Sequence, residues 1–341
     1  MLCLGIETTA HTFGISLVDG TRQGKDAILC NVKDVYKTEQ GGMIPSELAD
    51  HHVAVSQKVL RQALDVASEV LKKNLTVHDI DCIAFSNAPG IGNALRVGGF
   101  VARYLSVITN KPLVPVNHCI AHLEIARLVT PAKDPVLLYA SGANTQVIAY
   151  DAGKYRIFGE TLDMGIGNFL DSFGRLLGMG FPAGPTIQQY AEKAVEQKLP
   201  YVPLPYSVKG MDVSFGGMFT NLKRKIAEKA YTPEQLCYSA QETAFAMLLE
   251  VSERAMAHCQ KNELILGGGV ACNTRLKEMA KLMCEARNAT GHVPDNEFLV
   301  DNAAMIAWTG LVMFKAGIFV TAEKADINPY ERTDDVVVTW R

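Results

Sequence analysis

The chain has eight cysteines, and no two of them form a Cys-x-x-Cys pair. That spacing argues against a structural zinc cluster and against a disulfide framework, so most of the thiols read as small core residues in a reducing compartment. There is no excess of positive charge either: 33 Lys and Arg against 36 Asp and Glu leave a formal net charge of -3. Global attraction to nucleic acid is thereby excluded, and any RNA contact must come from a local basic face or a partner subunit. No uninterrupted apolar run has the length of a membrane span. The opening Met1-Leu2-Cys3-Leu4-Gly5-Ile6-Glu7 has no basic leader and no small-residue cleavage site, so it reads as a buried strand and points to a cytoplasmic protein without a membrane anchor. No Gly-Lys-Ser/Thr follows any glycine turn, which excludes a P-loop. What is present is ordinary globular composition, 341 residues with 48% hydrophobic and 20% charged, enough for two packed domains.

The pattern of apolar runs is that of an α/β protein. Strands over 2–8, 13–18 and about 27–32, with a turn at Asp19-Gly20, form a three-strand meander. A helix over 45–73, a strand over 81–86, a helix over about 93–109, a strand over 113–116 and a helix from His118 follow. The pattern then restarts with strands over 136–140, 145–150 and 155–159, later a strand over 263–266, a helix from Asn273 and a final helix from Asp301. This restart indicates an internal duplication with a nucleotide cleft between the halves. The boundary falls between 132 and 133, giving domains 1–132 and 133–341, with the last helix packing back on the first domain.

Asn117-His118-Cys119-Ile120-Ala121-His122 lies where a strand gives way to a helix. Two histidines four apart share one helix face and can converge on a metal ion, although for the pair alone ordinary helix-start histidines are the commoner case. A zinc peptidase needs Glu directly after the first His, and Cys119 stands there. Asp301, placed after an apolar strand read at Phe298-Leu299-Val300, is either the N-cap of the last helix or a third ligand reaching the histidines. Three glycine turns follow strands, at Gly90-Ile91-Gly92, Ser141-Gly142-Ala143-Asn144 and Gly267-Gly268-Gly269, where backbone N–H groups can approach phosphate. Asp171 follows a flexible-looking Met164-Gly165-Ile166-Gly167 segment and is either a ribose contact or a solvated residue. Asn273 is either a helix cap or a nucleotide contact. His51 and His52, adjacent on a helix, cannot face one point and are expected as surface or cleft residues.

Together, 117–122, 139–146, Gly267-Gly268-Gly269-Val270-Ala271-x-Asn273 and 301–305 resemble the universal tRNA N6-adenosine threonylcarbamoyltransferase family, older descriptions of which speak of a glycoprotein endopeptidase. The stretch 208–215, Arg332-Thr333-Asp334 and Val338-Thr339-Trp340-Arg341 resemble its archaeal and eukaryotic branch, which supplies the catalytic subunit of the KEOPS complex. The resemblance implies duplicated domains of the actin, sugar-kinase and heat-shock ATPase fold (ASKHA, RNase H-like). It implies one metal ion, iron or alternatively zinc, on His118, His122, Asp301 and Tyr139. The loop Tyr139, Ala140, Ser141, Gly142 and Ala143, with Asp171, Gly184, Gln188 and Asn273, would hold threonylcarbamoyl-AMP, and ATP or another adenine nucleotide would fit the same cleft. The implied reaction carries the threonylcarbamoyl group to N6 of adenosine 37 in tRNAs reading codons that begin with A. Implied partners are tRNA, a small atypical kinase on a separate polypeptide and a dimeric scaffold subunit. Ala143 departs from the usual second glycine and Gln188 from a usual acidic residue. No general base is legible. A kinase or ATPase of the same fold, or a nucleotide-gated interaction subunit, are the competing readings.

Overall fold

The computed structural model describes residues 1–37 and 44–341. In chain order the strands and helices of the first half are β1 (Leu2–Glu7), β2 (Thr12–Asp19), β3 (Ile28–Val35), α1 (Pro45–Leu71), β4 (Cys82–Ala88), α2 (Gly92–Thr109), β5 (Leu113–Asn117) and α3 (His118–Val129). The second half holds β6 (Val136–Ala140), β7 (Thr145–Asp151), β8 (Lys154–Glu160), α4 (Ile166–Leu176), α5 (Gly184–Glu196), a short hairpin of β9 (Val208–Lys209) and β10 (Asp212–Val213), and α6 (Gly216–Glu228). It continues with α7 (Pro233–His258), β11 (Glu263–Gly267), α8 (Thr274–Ala286), β12 (Thr290–His292), α9 (Asn296–Leu299) and α10 (Ala303–Lys315).

Each half builds the same sheet. β1, β2 and β3 pair antiparallel in turn, and β4 and β5 then add in parallel on the other side of β1, giving the order β3-β2-β1-β4-β5. β6, β7 and β8 repeat the meander, with β11 and β12 parallel beside β6, giving β8-β7-β6-β11-β12. The α/β duplication expected from the sequence is therefore present in strand order as well as in element order. Both core sheets are covered on two faces, which is why β2 is buried along its whole length and does not alternate. In the first sheet, α1 packs on β2 and β3 and α2 on β4, while α10 lies against β1, β2 and β4 and also against α3. The end of the chain thus returns to the first sheet.

Beyond α10 the chain runs as a strap across both sheets. Asn328 N donates to Asn87 O at 2.9 Å at the end of β4, and Val338 N reaches Gly153 O at 3.4 Å beside β8. Trp340 Nε1 donates to the buried Glu124 of α3 at 3.1 Å. No helix among the described residues is long and apolar enough to cross a membrane.

Two expectations are corrected. The segment 298–300 is not a strand: Asn296–Leu299 is a single helical turn, closed by Phe298 N donating to Asp295 O. Phe298 and Leu299 are both buried, which a turn permits and an alternating strand with one covered face does not. His52 is not a surface residue but fully buried, with Nε2 donating to Ala10 O at 2.9 Å. Its neighbour His51 is half-buried and pairs with Asp34. Of the eight thiols, six are buried, whereas Cys259 and Cys272 are partly exposed.

Candidate metal centre

His118, Tyr139 and Glu7 hang from the C-terminal end of a strand or the start of the helix after it, where parallel α/β sheets gather ligands. β5 runs straight into α3, and Asn117 caps that helix by accepting from Cys119 N and Ile120 N. This junction fixes His118 and His122 on one face. Their rings meet edge to face, with centroids 4.8 Å apart, and both are buried. β6 brings Tyr139, which is also buried.

Asp301 completes the cluster from the far end of the chain. The helix cap is Asn302, whose side chain accepts from Met305 N at 3.0 Å, so the N-cap reading of Asp301 is corrected and its carboxylate is left to face the histidines. One oxygen, Oδ1, lies 3.3 Å from His118 Nε2 and 3.5 Å from His122 Nε2. Tyr139 Oη lies 3.1 Å from His118 Nε2. The three ligand atoms of His118, His122 and Asp301 all fall within 4.8 Å of one another. Both ring nitrogens of the buried His122 lack a hydrogen-bond partner. A buried imidazole without partners is costly, and His118, His122 and Asp301 form a donor set that could hold a metal ion.

The electrostatics express the same demand. Burial acts against charge on His118, yet Glu7, Tyr139 and Asp301 outweigh it and hold its pKa well above the usual range. Burial lowers the pKa of His122. Burial alone would raise Asp301, but His118 and His122 keep its carboxyl well below the usual carboxylate range. Burial raises the Tyr139 phenol.

Two residues beside the cluster were not legible in the sequence. Glu7, at the end of β1, is fully buried, and its Oε2 accepts from His118 Nδ1 at 3.0 Å while Oε1 accepts from Thr9 N at 2.7 Å. It fixes His118 with Nε2 toward Asp301, the arrangement by which a carboxylate orients a ligand histidine. A charged residue closing an otherwise apolar, fully buried strand was the available signal. Lys33 of β3 also reaches the site, with Nζ donating to the Asp301 carbonyl at 3.4 Å.

The second group of residues forms a wall next to the cluster. The loop after β6 lies on the N-terminus of α4: Gly167 N donates to Ser141 O and Asn168 N to Gly142 O, each at 3.0 Å. The segment read as flexible is instead tightly packed, since a Cβ on Gly165 would stand 2.3 Å from Gly142 O. Gly142 and Ala143 are exposed at the loop tip. Across the loop, Gly268 has φ +87°, and a Cβ there would stand 2.3 Å from Ala140 O, so the end of β11 meets the end of β6 only through glycine.

Asp171 on α4 accepts from Ala183 N at 2.8 Å through Oδ1, which fixes the start of α5 at Gly184. Gln188 of α5 is engaged with Thr274 at the start of α8, its Nε2 donating to Oγ1 at 2.8 Å and its Oε1 accepting from Thr274 N at 3.2 Å. Asn273 caps α8 and also donates to Gln241 at 2.8 Å. These residues are brought together, but Gln188 and one oxygen of Asp171 already have protein partners. The first glycine turn offers less than expected. Gly90 N donates to Pro329 O and Ile91 N to Thr9 O, so those amides serve packing.

Two duplicated α/β sheets with polar groups converging at their strand ends define an actin-like fold, here with a cluster of residues that could hold a metal ion. The fold agrees with that of HypF from Thermococcus kodakarensis, at a TM-score of 0.63 and 14% identity over 92% of this chain and 47% of that one. It agrees also with an activator of 2-hydroxyisocaproyl-CoA dehydratase from Clostridium difficile solved with ADPNP, at a TM-score of 0.53 and 13% identity over 96% of this chain and all of the other. The profile of the family described as TsaD, tRNA N6-adenosine threonylcarbamoyltransferase, matches residues 27–308, and the chain belongs to that family. A tRNA N6-adenosine threonylcarbamoyltransferase from Thermococcus kodakarensis is 50% identical over the full length of both chains. A protein from Methanosarcina mazei named as a probable bifunctional tRNA threonylcarbamoyladenosine biosynthesis protein is 48% identical over 99% of this chain and 59% of its own length. The chain is accordingly a transferase that modifies tRNA with the threonylcarbamoyl group.

Proposed function

We propose that His118, His122 and Asp301, with Tyr139 as a further ligand, hold one metal ion, iron or alternatively zinc, and that the adjacent wall holds threonylcarbamoyl-AMP for transfer to N6 of adenosine 37. The observation that carries this reading is the buried His122, with no hydrogen-bond partner on either nitrogen and Asp301 Oδ1 at 3.5 Å. Bound there, the ion supplies Lewis acidity and a fixed point for substrate oxygens.

The remaining work falls to the chain's own groups. Glu7 keeps His118 in one orientation. The loop from Tyr139 to Ala143, with Asp171, Gly184, Gln188 and Asn273, positions the nucleotide, and the amides of the exposed loop tip face developing charge. Positioning two substrates accounts for much of the rate in such a transfer. Gln188 contributes through the α8 start it holds. The domains in this reading are 1–132 and 133–341, α10 returning to the first, a division supported by the matching strand orders.

With a net charge of -3, tRNA docking relies on partner subunits of the KEOPS type, among them a dimeric scaffold and a separate small kinase in the cytoplasm. In support, the bifunctional Methanosarcina relatives carry further sequence beyond the part this chain matches. The test is metal analysis of the purified protein together with a reconstituted transfer assay using labelled threonine, bicarbonate, ATP, tRNA and partner subunits. Bound iron or zinc that disappears with activity in His118→Ala is expected. Metal-free protein, with His118→Ala as active as the parent, overturns the reading.

A further inference from the structure

A second site lies behind α3, away from the cluster. The C-terminal strap, the ends of β4 and β5, the first turn of α3 and α10 line a partly open cavity of about 250 Å³. A water molecule occupies roughly 30 Å³ in the liquid, so this space exceeds one or two structural waters several-fold. Ile120 lines the cavity, and two residues along a helix are about 200° apart, so this is the face opposite His118.

The polar side chains lining the cavity are two carboxylates, two amides, one hydroxyl and one indole. Glu331 and Asp335 come from the strap, Asn87 from β4 and Thr309 from α10. Thr309 is fully buried and Asn87 is 9% exposed, and neither Thr309 Oγ1 nor Asn87 Oδ1 has a hydrogen-bond partner. Asn117 Nδ2 already donates to Glu331 at 3.4 Å, and the Trp340 indole N–H to Glu124. No Lys, Arg or His lines the cavity among the described residues. The rest of the wall is apolar, with Ile120, Met313 and Trp340 prominent. Two buried oxygens without partners, beside the half-buried Glu331 carboxylate and with no basic side chain in the lining, call for a ligand that is cationic and rich in donors. The apolar walls call for hydrocarbon attached to it.

We propose that this cavity binds a primary alkylammonium group, its N–H donors shared among Glu331, Asn87 and Thr309 and its chain lying on Ile120 and Met313. The volume lies below that of pockets for drug-sized ligands, so the occupant is small: a free aliphatic amine or a single lysine side chain of a partner. Since Glu331 belongs to the strap and Asn117 caps the helix that carries His118, occupancy ties the strap to the metal-bearing helix.

Calorimetric titration of the full chain with 1,4-diaminobutane and with Nα-acetyl-lysinamide tests the proposal and separates the two sources. n-Butanol and magnesium chloride serve as controls. Saturable binding of either amine is expected, weakened at least tenfold in Glu331→Gln and several-fold in Thr309→Val, with no binding of butanol. Thr309→Val keeps shape and burial, so it remains informative if Glu331→Gln folds poorly. Failure of both amines overturns the site. So does binding unchanged in both variants, binding of magnesium with the same dependence on Glu331, or a crystal soaked with the amine that shows only water in the cavity.

Discussion

Glu7 Oε2 accepts from His118 Nδ1 at 3.0 Å, joining the last residue of the first strand to the first residue of α3. This bond decides which nitrogen of His118 faces Asp301. Because Glu7 is wholly buried and also accepts from Thr9 N, its carboxylate has little freedom to turn away.

Glu7→Gln should therefore weaken metal binding while the protein stays folded, because the amide can still accept from Thr9 but holds His118 less strongly. Loss of such an orienting partner costs roughly 10–100-fold in metal affinity. Competition against a chelator of known affinity measures it, and an affinity equal to that of the parent would refute the positioning role.

Asp301→Ala should remove the metal and retain the fold. The residue lies outside α10, whose cap is Asn302, so helix formation does not depend on it. Elemental analysis alongside circular dichroism is the measurement. Wild-type metal content in a folded Asp301→Ala protein rules out the ligand role.

Gly268→Ala should destabilise the chain and impair substrate binding together. A non-glycine residue at φ +87° carries backbone strain of about 1–3 kcal/mol, and the new Cβ would also press on Ala140 O at the base of the loop. Urea unfolding that shows no loss of stability would show that β6 and β11 can part without cost.

Stability should fall as the medium is acidified below pH 6.5, with His52 as one cause. Burial pushes its pKa down from the usual 6.5 to about 4. A base whose folded pKa is depressed binds its proton more readily when unfolded. Its neutral form thus supports the fold fully above about pH 6.5, and that contribution declines as pH drops toward 4 and is lost below it. The shift corresponds to at most about 3 kcal/mol. His51, 3.1 Å away through its Nδ1, Asp34 bonded to His51, and His11 stand in the same neighbourhood. The comparison is accordingly with His52→Gln, whose unfolding free energy should vary less between pH 6.5 and 4. Parallel curves for the two proteins would exclude His52 as a contributor.

What could be read in the sequence was whatever a short stretch specifies by itself. The two meanders, the αβ alternation and the restart near Val136 come from local apolar pattern and turn residues, and they appear in the strand orders. His118 and His122 converge because helical periodicity alone puts residues four apart on one face. The motifs were sufficient to point to the family. Long-range packing decided the rest. Sequence left Asp301 open between cap and ligand, and the choice fell to Asn302, one residue along, whose side chain reaches Met305 N. Phe298 and Leu299 have strand-like composition but are both buried by one helical turn. His52 read as a surface or cleft residue, and its burial follows only from the packing of α1 on β2. Glu7, Lys33 and the strap's cavity join residues from opposite ends of the chain. Such contacts have no local period to betray them, because they arise only when two separately folded sheets and a returning helix bury their faces on one another.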